Sequence, residues 1–179
     1  MGCVDMMKFL NVYRRLRAYY RRKEISESEP VVFNIELTNR CPMTCVMCPR
    51  NDMVRDLGLM SPDLLRKIVA EIRGTTFRVW LHHFGESLVH PDFVELVCIV
   101  KEAGIEAALS ANAVVLSPPH KEKIFDSGLD ILIISLDGIE EKTYRDLRGK
   151  GANYEKAVEF TTQFLDAKVR TGRGKPRVI

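Results

Sequence analysis

Val31-Val32-Phe33-Asn34-Ile35-Glu36-Leu37, followed by Cys41-Pro42-Met43-Thr44-Cys45-Val46-Met47-Cys48, carries most of the information in this 179-residue chain. The first part is a mainly apolar, β-branched run of strand length. Its end delivers a loop with three thiols in eight residues, separated by three and then two others. Such a loop converges when it wraps a group that takes sulfur ligands. A structural zinc or a four-thiolate cluster needs four protein ligands, and the next candidates, His82, His83 and Cys98, lie well downstream. Three ligands leave one metal position open, and an open position is where a small molecule binds and reacts. An iron–sulfur cluster fits best. A non-catalytic metal- or nucleic-acid-binding module, using this loop and the basic amino-terminal helix, and three incidental thiols are the alternatives.

From this strand the pattern alternates. Ser61-Pro62 is a helix start, with Ser as N-cap and Pro at the first helical position; Leu64, Leu65, Ile68, Val69 and Ile72 form its apolar face and Gly74 ends it. Residues 77–84 read as a second strand, 92–103 as a helix stopped by Gly104, and 105–110 as a third strand. A helix over about 119–127 ends at Gly128, and Ile131-Leu132-Ile133-Ile134 is an all-apolar strand of the kind buried on both faces. Helices follow near 140–147 and 154–168. Four alternations of strand and helix predict an α/β fold of parallel βαβ units, and active residues just past the carboxyl ends of parallel strands are what such folds provide.

At these residues the sequence resembles the radical S-adenosylmethionine (SAM) superfamily. The cysteine spacing is that family's signature, although the residue before the third cysteine, usually aromatic, is Met47 here. His82-His83-Phe84-Gly85-Glu86 is similar to the Gly-Glu motif after the second strand, Ser110-Ala111-Asn112-Ala113 to a Thr-Asn-Gly turn, and Ser135-Leu136-Asp137-Gly138 to the motif ending the fourth strand. The resemblance implies a partial (βα) barrel, with about four of an expected six units present, in which Cys41, Cys45 and Cys48 ligate three irons of a [4Fe–4S] cluster. SAM chelates the fourth iron through its amino and carboxylate groups. An electron from a flavodoxin- or ferredoxin-like donor then cleaves a carbon–sulfur bond, giving methionine and a 5′-deoxyadenosyl radical that abstracts hydrogen from a peptide or small metabolite. The branch considered is the SPASM-domain-bearing one, with an extra cluster-binding carboxyl-terminal domain.

The resemblance also assigns cofactor contacts. Gly85 and Glu86 suit the methionine moiety, because glycine lets the backbone come close to a ligand and a carboxylate accepts from an ammonium group. Ser110 and Ser135 place hydroxyls near the methionyl group and ribose, and Asp137 either binds or caps its turn. Asn112 sits between Ala111 and Ala113, where the family often has Thr and Gly, and losing that Gly removes easy access to positive φ. His82 and His83 point to opposite faces if the strand is regular.

Composition narrows the class. Hydrophobic residues make up 46% and charged residues 28%, ordinary for a globular protein with an adequate core. Five cysteines, an odd count with three clustered, argue against a secreted disulfide framework and for a reducing cytoplasm. No run approaches the roughly 20 apolar residues that span a bilayer, and no signal peptide is expected. Met1-Gly2-Cys3 suggests acylation, but Met6 stands where that pattern wants Ser or Thr.

Charge is concentrated at one end. Seven basic residues against Asp5 alone give the first 23 residues +6, and subtracting that from the chain's +3 leaves −3. Met6, Phe9, Leu10, Tyr13, Leu16 and Tyr20 recur at helical spacing among the arginines. A basic amphipathic helix of this kind suits an anionic membrane or nucleic acid. The simpler expectation is that it packs on its own domain through Phe9, Tyr13 and Leu16, with no nucleic-acid partner. The chain thus divides into a helix and linker, 1–30, and a core domain, 31–179. At the far end Arg177-Val178-Ile179 begins an apolar run after a turn-rich connector, so a fifth strand is expected to be cut off at its start.

Overall fold

A computed structural model describes the backbone of residues 3–179 and the side chains from Met6 onward. The Met1-Gly2 start read above lies outside the described residues. In chain order the elements are α1 (Cys3–Tyr20), β1 (Val32–Asn34), α2 (Pro62–Ile72), β2 (Arg78–Trp80), α3 (Phe93–Glu102), β3 (Glu106–Asn112), α4 (Pro118–Ser127), β4 (Ile131–Ser135), α5 (Glu141–Arg148), α6 (Tyr154–Arg170) and β5 (Arg177–Val178). The strands form one parallel sheet in the order β1-β2-β3-β4-β5. Because every neighbouring pair is parallel, each connection must return to the same end of the sheet, and helices do this.

Local signals explain the boundaries. Ser61 caps α2, its hydroxyl accepting from Leu64 N at 3.3 Å, with Pro62 behind it. Asn153 caps α6 in the same way, accepting from Lys156 N at 2.9 Å. The core lies between the sheet and the helices around Leu65, Leu81, Leu96, Leu109 and Phe164, all fully buried; burying each such side chain contributes about 1.5–3 kcal/mol. Phe125 of α4 stacks on Phe164 of α6 with ring centroids 4.9 Å apart.

The strand expected to begin at Arg177 does so: Arg177 and Val178 sit opposite Ile131 and Leu132 of β4. Two strands are arranged differently from the reading above. β2 ends at Trp80, so the alternation of faces that would separate His82 from His83 has already stopped. β3 runs through Asn112, pairing Ser110, Ala111 and Asn112 with Ile133, Ile134 and Ser135. The segment expected to be a turn is therefore sheet through Asn112, whose backbone is extended, φ −69° and ψ 133°, and Ala113 does not adopt the positive φ that would call for glycine.

The expected packing of α1 is also corrected. Phe9, Tyr13 and Leu16 are 57%, 61% and 50% exposed, whereas Lys8, Asn11 and Ala18 are buried. Lys8 Nζ donates to Gly104 O at 2.8 Å; Asn11 Nδ2 donates to Glu29 O at 3.0 Å and Thr75 O at 3.5 Å. Those carbonyls lie in the loops entering β1, β2 and β3, so α1 crosses the amino-terminal end of the sheet. Loop carbonyls need donors, and the polar face of α1 supplies them, so its apolar stripe is turned outward. Phe9 retains one edge contact, with Phe77.

Candidate active site

At the opposite, carboxyl end of the strands lies an open cleft of about 180 Å³, lined among others by Cys41, Cys45, Cys48, Gly85, Ser110 and Ser135. All three thiols are free, Cys45 buried and the other two half-buried. Burial pushes the Cys41 thiol above its ordinary pKa, so iron binding there must displace a proton.

The cysteine loop is held by a turn that the sequence reading did not single out, Arg148-Gly149-Lys150-Gly151. Thr44 N donates to Lys150 O at 3.1 Å, Lys150 N donates to Thr44 Oγ1 at 2.8 Å, and Val46 N donates to Leu147 O at 3.0 Å. The approach is so close at Gly149, φ +64°, that a Cβ there would stand 2.2 Å from Thr44 O. The visible signal was two glycines flanking one lysine after an amphipathic helix. It marked a turn but not what the turn touches.

Glu86 lies at the strand end beside the cleft and is buried. Its Oε1 accepts from Leu88 N at 3.2 Å, and its Oε2 from Asn112 N at 2.8 Å and Asn112 Nδ2 at 2.9 Å. Burial pushes its pKa up to about 7, against the hydrogen bonds and the Arg148 charge, which lower it. The carboxylate thus ties the end of β2 to the end of β3. Gly85, φ +92°, is required by the same close fit: a Cβ would meet Thr38 O at 2.1 Å.

Ser110 and Ser135 bring their hydroxyl oxygens within 3.1 Å of each other on adjacent strands. His82 and His83 both line the cleft. His82 Nδ1 accepts from Ser110 N at 2.9 Å, and burial followed by the neighbouring His83 charge lowers its pKa. Its ring is therefore neutral at pH 7. Asp137 does not line the cleft; its carboxylate pairs with the Arg148 guanidinium.

Arg148 is the residue that sequence reasoning missed. It is buried at the end of α5, donates through Nη1 to Asn112 Oδ1 at 2.5 Å, and approaches Cys45 Sγ at 3.8 Å. Its Nε is buried with no hydrogen-bond partner among the described residues. An unsatisfied donor on a buried cation is costly, and Arg148 lines the cleft, where a cation suits an anionic ligand.

The donors also fit an iron–sulfur cluster. Among the described residues no three His, Cys, Asp or Glu side chains are close enough to hold a single metal ion; a cluster with one iron per thiolate does not require that convergence. The three cysteines, the serine pair and Arg148 all line this one cleft.

A parallel sheet with a three-cysteine loop after its first strand defines an α/β cofactor-binding class, and comparison with known proteins makes the class specific. The family profile described as the radical SAM superfamily matches residues 35–174. The chain belongs to that superfamily, whose members are enzymes that bind a [4Fe–4S] cluster and SAM. It is 32% identical over 145 residues to the mycofactocin maturase MftC of Mycobacterium ulcerans, covering 78% of this chain and 39% of that one. It is 29% identical over 142 residues to the PqqA peptide cyclase of Bradyrhizobium diazoefficiens, covering 76% and 37%. The crystal structure of Streptococcus suis SuiB bound to SAM superposes with a TM-score of 0.69 at 19% identity, covering 94% of this chain and 38% of that one. The chain thus spans well under half the length of these proteins. No helix among the described residues is long and apolar enough to cross a membrane.

Proposed function

We propose that this chain supplies the cluster- and SAM-binding part of a radical SAM enzyme. One observation carries the reading: three free thiols from one loop share a cleft with the strand-end serines and with a buried guanidinium that has a donor to spare. Cys41, Cys45 and Cys48 would each hold one iron, leaving the fourth for the amino and carboxylate groups of SAM. When bound, the cluster would pass one electron from an external donor to SAM, and the pair would supply radical chemistry for hydrogen abstraction.

The remaining chemistry belongs to the protein's own groups. Arg148 attracts the ligand carboxylate, and Asp137 and Asn112 fix its orientation. Gly85 presents the turn that faces the ligand amino group, and Glu86 holds that turn against the end of β3 through Asn112. Ser110 and Ser135 offer hydroxyls to the methionyl and ribose side. Met43, buried within the loop and lining the cleft, would keep water from the cluster side.

The substrate in this reading is a peptide, supported by the peptide-cyclase and maturase names of the relatives and by a SuiB structure bound to its precursor peptide. The electron comes from a flavodoxin- or ferredoxin-like donor in the cytoplasm. Anaerobic reconstitution with iron and sulfide tests the proposal: the chain gains cluster charge-transfer absorbance, and Cys45→Ala abolishes it. Stoichiometric zinc with no cluster absorbance would instead make the loop a non-catalytic metal binder.

A further inference from the structure

The amino-terminal helix presents outward what a helix normally buries. Met6, Phe9, Leu10, Tyr13, Leu16 and Tyr20 are each about half exposed or more, and at 3.6 residues per turn they form one stripe. Arg14, Arg17 and Arg21, all exposed, run beside it at the same spacing. No acidic residue occurs between positions 6 and 23. Among the described residues, none of the ion pairs within 4.0 Å engages Arg14, Arg15, Arg17, Arg21 or Arg22.

The helix is nonetheless firmly mounted. Its polar face is pinned by Lys8 and Asn11 to the loops at the amino-terminal end of the sheet, and Lys8 lies over the Phe77 ring. The stripe therefore faces away from the domain, at the end opposite the cysteine cleft. Contact there leaves the cleft open.

We propose that α1 docks this protein onto an anionic lipid bilayer. Charge complementarity selects this occupant over a protein surface. A dry protein interface would have to desolvate the flanking arginines and supply each with an acid. Lipid phosphates offer those charges at the depth to which arginine side chains reach, while the aliphatic and phenyl groups sink to the acyl boundary. Tyr13, Tyr19 and Tyr20, apolar in body and polar at the tip, suit the same boundary. The inference stands on the geometry of α1 alone and is independent of the chemistry proposed for the cleft.

Flotation of the full chain with vesicles tests it. The protein is expected to float with phosphatidylcholine–phosphatidylglycerol vesicles and not with pure phosphatidylcholine, and added salt should release it. Neutralising three arginines together, Arg14→Gln, Arg17→Gln and Arg21→Gln, should lower partitioning about a hundredfold, at about fivefold per charge. Phe9→Ser with Leu16→Ser should also abolish flotation. All five positions are exposed and Phe9 has an edge contact to lose, with Phe77, so circular dichroism should not move and the arginine changes should leave the urea midpoint in place.

Failure to float with anionic vesicles overturns the proposal, as does equal binding to neutral vesicles that ignores the arginine changes. A dimer in light scattering that depends on Phe9 and Leu16 but does not float would assign the stripe to a second copy. A longer chain, extended past Ile179, that no longer floats would assign it to the added segment. Either result replaces the bilayer.

Discussion

Gly149→Ala separates the clamp on the cysteine loop from ordinary backbone preference. Gly149 has φ +64° and ψ −146°, a region occupied essentially by glycine alone, and placing alanine there costs about 1–3 kcal/mol. The added Cβ would stand 2.2 Å from Thr44 O and 2.9 Å from Thr44 Oγ1. Contacts that short force the turn and the loop apart, adding about 1–3 kcal/mol of overpacking, so the total is about 2–6 kcal/mol. Separation also removes the two bonds between Thr44 and Lys150, each contributing about 1 kcal/mol, which raises the total to about 4–8 kcal/mol. Gly128→Ala is the control, because Gly128 has φ +71° and ψ 22° but nothing within 4 Å of its Cβ position; it should lose only about 1–2 kcal/mol. Urea unfolding of the unloaded chains measures both, and iron uptake after reconstitution should fall for Gly149→Ala alone. Equal losses for the two variants, with equal iron uptake, would refute the clamp.

Glu86 titrates in the unloaded chain. Its folded pKa of about 7 lies above the ordinary 4.5, so the folded state holds the extra proton, and this group's contribution to stability falls as pH rises from about 4.5 through 7. The shift is worth about 3 kcal/mol, and the difference between parent and Glu86→Gln urea midpoints should change across that window; a constant difference would contradict it. Asp130 behaves in the opposite sense. Burial would raise its pKa, but Lys101, Lys175 and Ala107 N lower it further than that. Its stability contribution is present at neutral pH and lost as pH falls through the folded pKa, and Asp130→Ala should cost about 3 kcal/mol at pH 7, read by thermal unfolding. Arg148→Met keeps the bulk at the cleft but removes the cation. SAM affinity, measured by calorimetry on the reconstituted chain, should weaken at least about tenfold with cluster absorbance retained, and unchanged affinity would remove Arg148 from ligand binding.

Periodicity and local stop signals made the alternation of strands and helices legible, because the all-apolar run of β4, buried at Ile131 and Leu132 and half-buried beyond them, and the caps Ser61 and Gly128 act over a few residues. The cysteine loop was legible for the same reason: three thiols in eight residues constrain one another whatever surrounds them. Even the start of β5 could be read, since a turn-rich connector before an apolar run is a local pattern. Contacts between distant segments were not legible. Arg148 is 103 residues from Cys45, and nothing in Arg148-Gly149-Lys150-Gly151 announces that it grips residues 44 and 46. Glu86 looked like a free carboxylate until the sheet brought Asn112 against it. The histidines looked opposed until β2 stopped at Trp80. The helix α1 shows the limit most plainly. Its apolar stripe was visible in the sequence, but which face packs depended on the carbonyls of Glu29, Thr75 and Gly104 in separate loops. Buried backbone acceptors require donors, and that demand exists only after the chain has folded around them.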